Sequence, residues 1–117
     1  MELPNHKDDL MTFFDKEEFV VACCEQIRKD LLGLTNNPPQ FDIHLDEDVL
    51  DQLTAQLAVT LTTMSSQQLQ QFIYKVDLPE KQYLQAITKQ DDMNELSYFV
   101  IRREAQKVYL RRKFSSR

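Results

Sequence analysis

A chain of 117 residues, 42% apolar and 28% charged with a net charge of −5, has the size and balance of one folded domain, not of a disordered or low-complexity segment. Its single glycine, Gly33, is too few for the tight turns of a strand-rich fold and for loops that cradle phosphate, so helices are expected and the usual nucleotide-binding motifs are not. Cys23 and Cys24 are neighbours that cannot staple distant segments, no apolar run approaches the ~20 residues of a membrane span, and MELPNHKDDL lacks the basic and apolar regions of a secretion signal; a cytoplasmic protein away from membranes is expected.

Residues 1–11 are polar, contain Pro4, and read as a flexible N-terminal arm that Leu10 and Met11 could anchor. Residues 12–117 read as one helical domain. A helix start follows the arm, with Thr12 before Asp15, or Asp15 before Glu18, as the capping pair. Phe19, Val20, Cys23, Ile27 and Leu31 then recur at helical spacing, and Gly33 ends the helix because it adopts the left-handed conformation at little cost. In LTNNPPQFDIHL, prolines and asparagines deny a regular helix, while alternating Phe41, Ile43 and Leu45 predict an extended segment with three anchors.

The next helix is expected near Asp46, with Leu45 and Leu50 as a staple and a stripe of Val49, Leu50, Leu53, Leu57, Leu61 and Met64. Ser65 with Gln68 forms a capping box for a short helix that buries Leu69, Phe72, Ile73 and Val76. Asp77, Pro79 and Glu80 open another, with Tyr83, Leu84 and Ile87 as its apolar side. The two short helices flanking VDLP have a helix–turn–helix look, but PEKQYLQAITKQ carries too few bases for a groove-reading helix. Asp92 with Glu95 starts the last helix, which can run to about Phe114, ~33 Å at the usual rise. The expectation is an all-α bundle of about five helices of unequal length, the last one long and central.

At 100° per residue, Tyr98, Ile101, Ala105, Val108 and Tyr109 share one side of that helix, while Leu96, Phe99, Val100, Leu110 and Phe114 lie roughly opposite. LSYFVI is therefore apolar nearly all round, as in a helix enclosed by neighbours. Charge then changes sharply. Residues 1–101 hold 18 acids and 7 bases, a net −11, whereas residues 102–117 hold one acid, Glu104, and seven bases, a net +6.

Cations at a helix end offset its dipole by ~0.3–1 kcal/mol each, which accounts for Arg111, Arg112 and Lys113 but not for bases beginning two turns earlier. Arg103, Lys107, Leu110, Arg111 and Phe114 combine arginine with apolar and aromatic side chains, a composition common in interfaces, and are the candidate partner-binding residues. Asp42, Asp46, Glu47, Asp48 and Asp51 form an acidic patch that the basic helix could meet in its own chain or in a second copy, the latter giving a homodimer. Nucleic acid is the rival partner, since phosphates would attract the arginines and Tyr109 or Phe114 could stack on bases, although the acidic body repels the same backbone.

Chemistry is harder to assemble. His6 falls in the arm, Cys23 on the inward stripe, and Cys24 about 100° further round. Asp42, His44 and Asp46 alternate to one side of an extended segment, but one histidine with two exposed acids makes a poor metal shell. Asp91 and Asp92 read as a helix cap. No enzyme activity, metal or cofactor is expected, and the function expected is a helical protein-interaction module.

Overall fold

The structure, a computed structural model, describes residues 3–115, with side chains as far as Phe114. Six helices follow in order: α1 (Lys7–Phe13), α2 (Glu17–Leu31), α3 (Val49–Thr62), α4 (Ser66–Val76), α5 (Glu80–Ile87) and α6 (Asn94–Ser115). The radius of gyration is 13.5 Å, which matches the ~13 Å of a tightly packed chain of this length. Helix α6 is the hub. It packs chiefly against α3 and α2 and also touches α1, α4 and α5. Leu96, Val100 and Ile101 have no exposed surface, as expected for a helix enclosed at its start.

The sixth helix is the one not read from the sequence. Lys7–Phe13 lies partly within the stretch expected as an arm, and Leu10 is fully buried while Met11 is exposed. The reason is a local box: the His6 N–H donates to Asp9 Oδ2 at 3.3 Å, and Thr12 Oγ1 bonds back to the Asp8 carbonyl, so Thr12 belongs to α1 and does not cap α2. The chain turns at Phe14–Lys16, where Phe13 stacks on Phe19 at 4.6 Å. Further ties reach α6: Gln106 Nε2 donates to the Pro4 carbonyl and Arg102 to that of Asn5.

Helix α2 ends at Leu31, and Gly33 follows at φ +81°, the left-handed stop expected of it. The chain from Pro39 to His44 forms neither helix nor strand, and Phe41 stands at φ +52°, which interrupts the extended run expected there before Leu45 enters a turn; two glutamines one turn apart on α3 hold the segment. Asp42 N–H donates to Gln56 Oε1 and Gln56 Nε2 donates to the Asp42 carbonyl, at 2.8 and 2.7 Å. Gln52 treats His44 the same way, at 2.7 and 2.8 Å. Each primary amide replaces a neighbouring strand, satisfying a donor and an acceptor that a lone extended segment would leave open. Helix α3 begins at Val49, later than expected. The Glu47 N–H bonds the His44 carbonyl to make a turn, and Asp48 supplies the cap by accepting from Asp51 N–H.

The Ser65–Gln68 box is present in both directions, at 3.1 and 2.9 Å. Asp77 ends α4 in the left-handed region at φ +65°, and Pro79 follows as the N-cap of α5. On α5 only Tyr83 and Ala86 are buried, whereas Leu84 and Ile87 remain largely exposed. Asp91 Oδ2 accepts from Glu95 N–H to open α6, after Asp92 and Met93 have both turned through positive φ.

Candidate interaction surface around the end of helix α6

The second half of α6 is basic, and the structure shows what those bases touch. Arg103 straddles the turn after α4: its Nε donates to the Asp77 carbonyl at 3.1 Å and its terminal nitrogen pairs with Asp77 Oδ2 at 3.0 Å. Lys107 reaches inward. Its ammonium lies 3.1 Å from Asp30 Oδ2 and 2.8 Å from Glu104 Oε1, and it donates to the Lys75 and Val76 carbonyls at the C-terminal end of α4. A cation is favoured there because those carbonyls carry the negative end of the helix dipole. Arg111 donates to Gln26 Oε1 at 2.8 Å, and Gln26 in turn donates to Asp30 Oδ1 at 3.2 Å. A polar seam thus runs from exposed Arg111 through buried Gln26 and Asp30 to Lys107 and buried Glu104, stitching α2 to α6.

Glu104 is the unexpected member. It is 0% exposed, and neither carboxyl oxygen has an aligned hydrogen-bond donor despite the nearby ammonium. Burial, with the Asp30 carboxyl beside it, pushes its pKa up to about 9 against the pull of Lys107. An ionised Glu104 would leave two buried acceptors poorly satisfied. A protonated one can donate to Asp30 and leave Lys107 as that carboxylate's ion partner. Burial works to lower the pKa of Lys107, but Glu104 and Asp30 outweigh it and leave the ammonium firmer than usual.

The last turn of α6 lies outside this seam. Arg112 pairs with Glu18 at 3.3 Å and covers the Phe19 ring at 5.0 Å. Leu110 is partly buried, and Phe114 is 56% exposed. Of the five residues expected to bind a partner, Arg103, Lys107 and Arg111 are therefore bonded within the chain, and the two apolar ones face outward to different degrees.

The acidic patch lies elsewhere. Asp42, Asp46, Glu47, Asp48 and Asp51 are all exposed, in the extended segment and the first turn of α3. The acids that meet the basic helix are instead Glu18, Asp30, Asp77 and its own Glu104. Asp42 and His44 are fixed through their backbones by Gln56 and Gln52, and among the described residues no three His, Cys, Asp or Glu side chains gather as a metal site.

Between the extended segment and α2 runs a groove of about 290 Å³. Phe41 and Ile43 contribute its partly buried wall, and Val21 and Leu45, 47% and 49% exposed, its apolar rim. Glu17, Glu25 and Arg28 give it charge of both signs. Val21, Glu17 and Glu25 also line the adjoining cleft that contains Arg112. Leu45 lines a third cleft, with Glu47 and Asp48 of the acidic patch. The clefts adjoin through shared residues: Leu45 links the groove to Glu47 and Asp48, and Glu17, Val21 and Glu25 link it to Arg112 near the end of α6. Val21, Glu17 and Glu25 were not singled out in the sequence. Their available signal was position, since all three fall on the side of α2 away from the Cys23–Ile27 stripe.

A separate cleft, of about 350 Å³, lies between α5 and α6, where Arg102 and Arg103 meet Gln82 and Asp77. Both arginines already bond the groups that line it. The two thiols are quiet. Burial drives Cys23 well above the ordinary thiol range and raises Cys24 to about 11, the reverse of an activated nucleophile.

Among the described residues no helix is long and apolar enough to cross a membrane. No family model, curated protein or solved structure matches this chain.

Proposed function

We propose that the chain is a non-catalytic interaction module that works in the cytoplasm by binding a protein partner through the face that joins the Val21–Leu45 groove to the last turn of α6. The observation that carries the reading is the continuity of that face. Val21 and Leu45 are each about half exposed and lie among charged side chains of both signs, and Phe114 in the last turn of α6 is also about half exposed. Apolar side chains beside arginine and aromatic groups suit a protein contact better than a small-molecule site. The raised thiols also weigh against nucleophilic chemistry at Cys23 and Cys24.

Nucleic acid is the second reading, favoured by the seven bases of residues 102–117. Arg103, Lys107 and Arg112 each have a carboxylate partner, which lowers the net field they offer a phosphate backbone.

The test is affinity capture with the tagged chain and with a Val21→Asp/Phe114→Asp variant, followed by titration of both against single- and double-stranded oligonucleotides at two salt concentrations. The proposal expects the protein partners of the parent to be lost by the variant, and no salt-sensitive oligonucleotide binding. Partners retained by the variant, or binding to oligonucleotides that weakens steeply with salt, would overturn it.

A further inference from the structure

The cleft between α5 and α6 lies apart from the face proposed for a protein partner, and most of what lines it donates hydrogen bonds. Arg102 and Arg103 of α6, Gln82 of α5 and Asn5 of the N-terminal segment meet there, and Asp77 is the only acid among the described residues that line it. Arg102 is held in place but not neutralised. Its guanidinium lies 5.0 Å over the Phe99 ring and 5.7 Å over the Tyr98 ring, which fixes its plane. Its terminal nitrogens donate to the Asn5 carbonyl at 3.3 Å and to Gln82 Oε1 at 3.4 Å. Both bonds are long beside the ~2.7–2.9 Å of a contact between a cation and an anionic oxygen. Among the described residues no carboxylate pairs with Arg102.

A guanidinium carries about five N–H donors, so most of those on Arg102 have no acceptor among the described residues. The side-chain amide nitrogens of Gln82 and Asn5 bond no acceptor there either. Arg103 shows what such a group takes: it holds Asp77 Oδ2 at 3.0 Å, although the Asp77 side chain is 81% exposed. We propose that this cleft binds the phosphate group of a small phosphomonoester, with Arg102 as its principal donor and Arg103 exchanging Asp77 for a phosphate oxygen. The site is independent of the protein contact and stands or falls without it.

Geometry and charge select phosphate. The donors come from three separate segments of the chain, so they can reach oxygens that point in different directions, as those of a tetrahedral anion do. A planar carboxylate is served by one guanidinium, as Asp77 is by Arg103. Two guanidiniums against one carboxylate leave the lining net positive, and a phosphate monoester brings about −1.5 to −2 at neutral pH. The Arg103–Asp77 pair is no obstacle, because a pair with so exposed a partner contributes little. The cleft volume of about 350 Å³ exceeds the needs of a bare ion and falls at the small end of sites for organic ligands.

The test follows backbone amide chemical shifts of the full chain as inorganic phosphate, glycerol 3-phosphate or acetate is added at fixed pH and ionic strength. Shifts at Asn5, Gln82, Arg102 and Arg103 are expected to saturate with both phosphates and to respond to acetate only at much higher concentration. Arg102→Gln should bind roughly tenfold or more weakly, the worth of a charged hydrogen bond. Asp77→Asn removes the competing carboxylate and keeps a residue type that tolerates the left-handed backbone at φ +65°. It should bind about two- to fivefold more tightly, as loss of an exposed pair allows. The two variants move affinity in opposite directions, so a general loss of structure cannot imitate both, and Asp77→Asn still decides the matter if Arg102→Gln does not fold. Shifts that never saturate, equal affinity for acetate and phosphate, or an Arg102→Gln chain that binds like the parent would overturn the site. Unchanged affinity in Asp77→Asn would overturn the exchange at Arg103, and binding of inorganic phosphate without the ester would overturn the assigned ligand class.

Discussion

From Leu96 to Ile101, α6 is enclosed by apolar side chains, whereas from Arg103 to Arg111 it is fastened by ions and amides that reach α2 and the end of α4. The first half needs no particular partner, since any apolar surface of the right shape satisfies it. The second half needs named partners at set distances: Asp77 for Arg103, Asp30 for Lys107, Gln26 for Arg111. The contrast teaches why a basic helix end is poor grounds by itself for an external partner. Most of its charge here is matched inside the fold, and what remains for contact is the last turn together with a groove on another helix.

The comparison can be broken most forcefully in the apolar half. Leu96→Ala removes a fully buried side chain and should cost ~2–5 kcal/mol, measured by urea unfolding; a smaller loss would mean that this stretch is less enclosed than described. In the polar half, Lys107→Met leaves Asp30 and the α4 carbonyls without their ammonium. Stranding such groups costs ~1–3 kcal/mol, and an unchanged unfolding midpoint would show that the seam contributes nothing.

The seam also predicts a pH dependence. The Glu104 pKa is raised to about 9 from an ordinary 4.5, chiefly by burial and then by Asp30. The folded state therefore binds this proton more tightly than the unfolded chain does. Its contribution is fully present below pH ~4.5 and is lost as pH climbs towards 9, after which it levels off. Glu104→Gln, which cannot ionise, should be flatter than the parent over that window in denaturant titrations at several pH values. Parallel pH profiles for the two proteins would mean that Glu104 is ionised throughout.

A smaller effect is expected where the extended segment is tied down. Gln56→Ala removes two hydrogen bonds to Asp42, each worth ~0.5–1.5 kcal/mol net. Exchange at the Asp42 amide should accelerate while amides in the core of α3 stay protected; uniform acceleration would point to global destabilisation instead. The least effect on stability, within about 0.5 kcal/mol, is expected for Phe114→Ala. If that substitution destabilised the monomer by much more, Phe114 would belong to the core and not to a surface.

The helices were legible where one residue dictates the local backbone. Ser65 with Gln68, Gly33 and the Leu53–Leu57–Leu61 stripe each mark a feature found as read, because caps, left-handed stops and apolar periodicity act through near neighbours. Helix α1 was missed because it is a seven-residue helix with only Leu10 and Phe13 buried, and its cap is a histidine. The face of the groove was half legible. Phe41, Ile43 and Leu45 were read as anchors, yet Leu45 is half exposed, since the turn at Glu47 moves the cap to Asp48 and lifts Leu45 away from a stapling position.

The seam was hidden for a different reason. Glu104 three residues before Lys107 looks like an ordinary surface ion pair, and its burial depends on Asp30, 74 positions away in sequence. A signal was nonetheless there. Glu104 falls among Ile101, Ala105 and Val108 on the inward side of α6, and Asp30 follows Cys23 by two helical turns on the inward side of α2. Acids on two apolar stripes suggest a buried pair that needs a cation, and Lys107 is that cation.

The proposed contact lies at the groove and the last α6 turn, and not along the basic stretch that precedes them. The direct measurement is the change in backbone amide chemical shifts of the intact protein as a captured protein partner is added. The account predicts shifts that move together at residues 17–25, 41–45 and 111–114, while those at Arg103 and Lys107 stay fixed. Shifts centred on Arg103 and Lys107, or residues 17–25 and 41–45 that do not move as the partner is added, would contradict it.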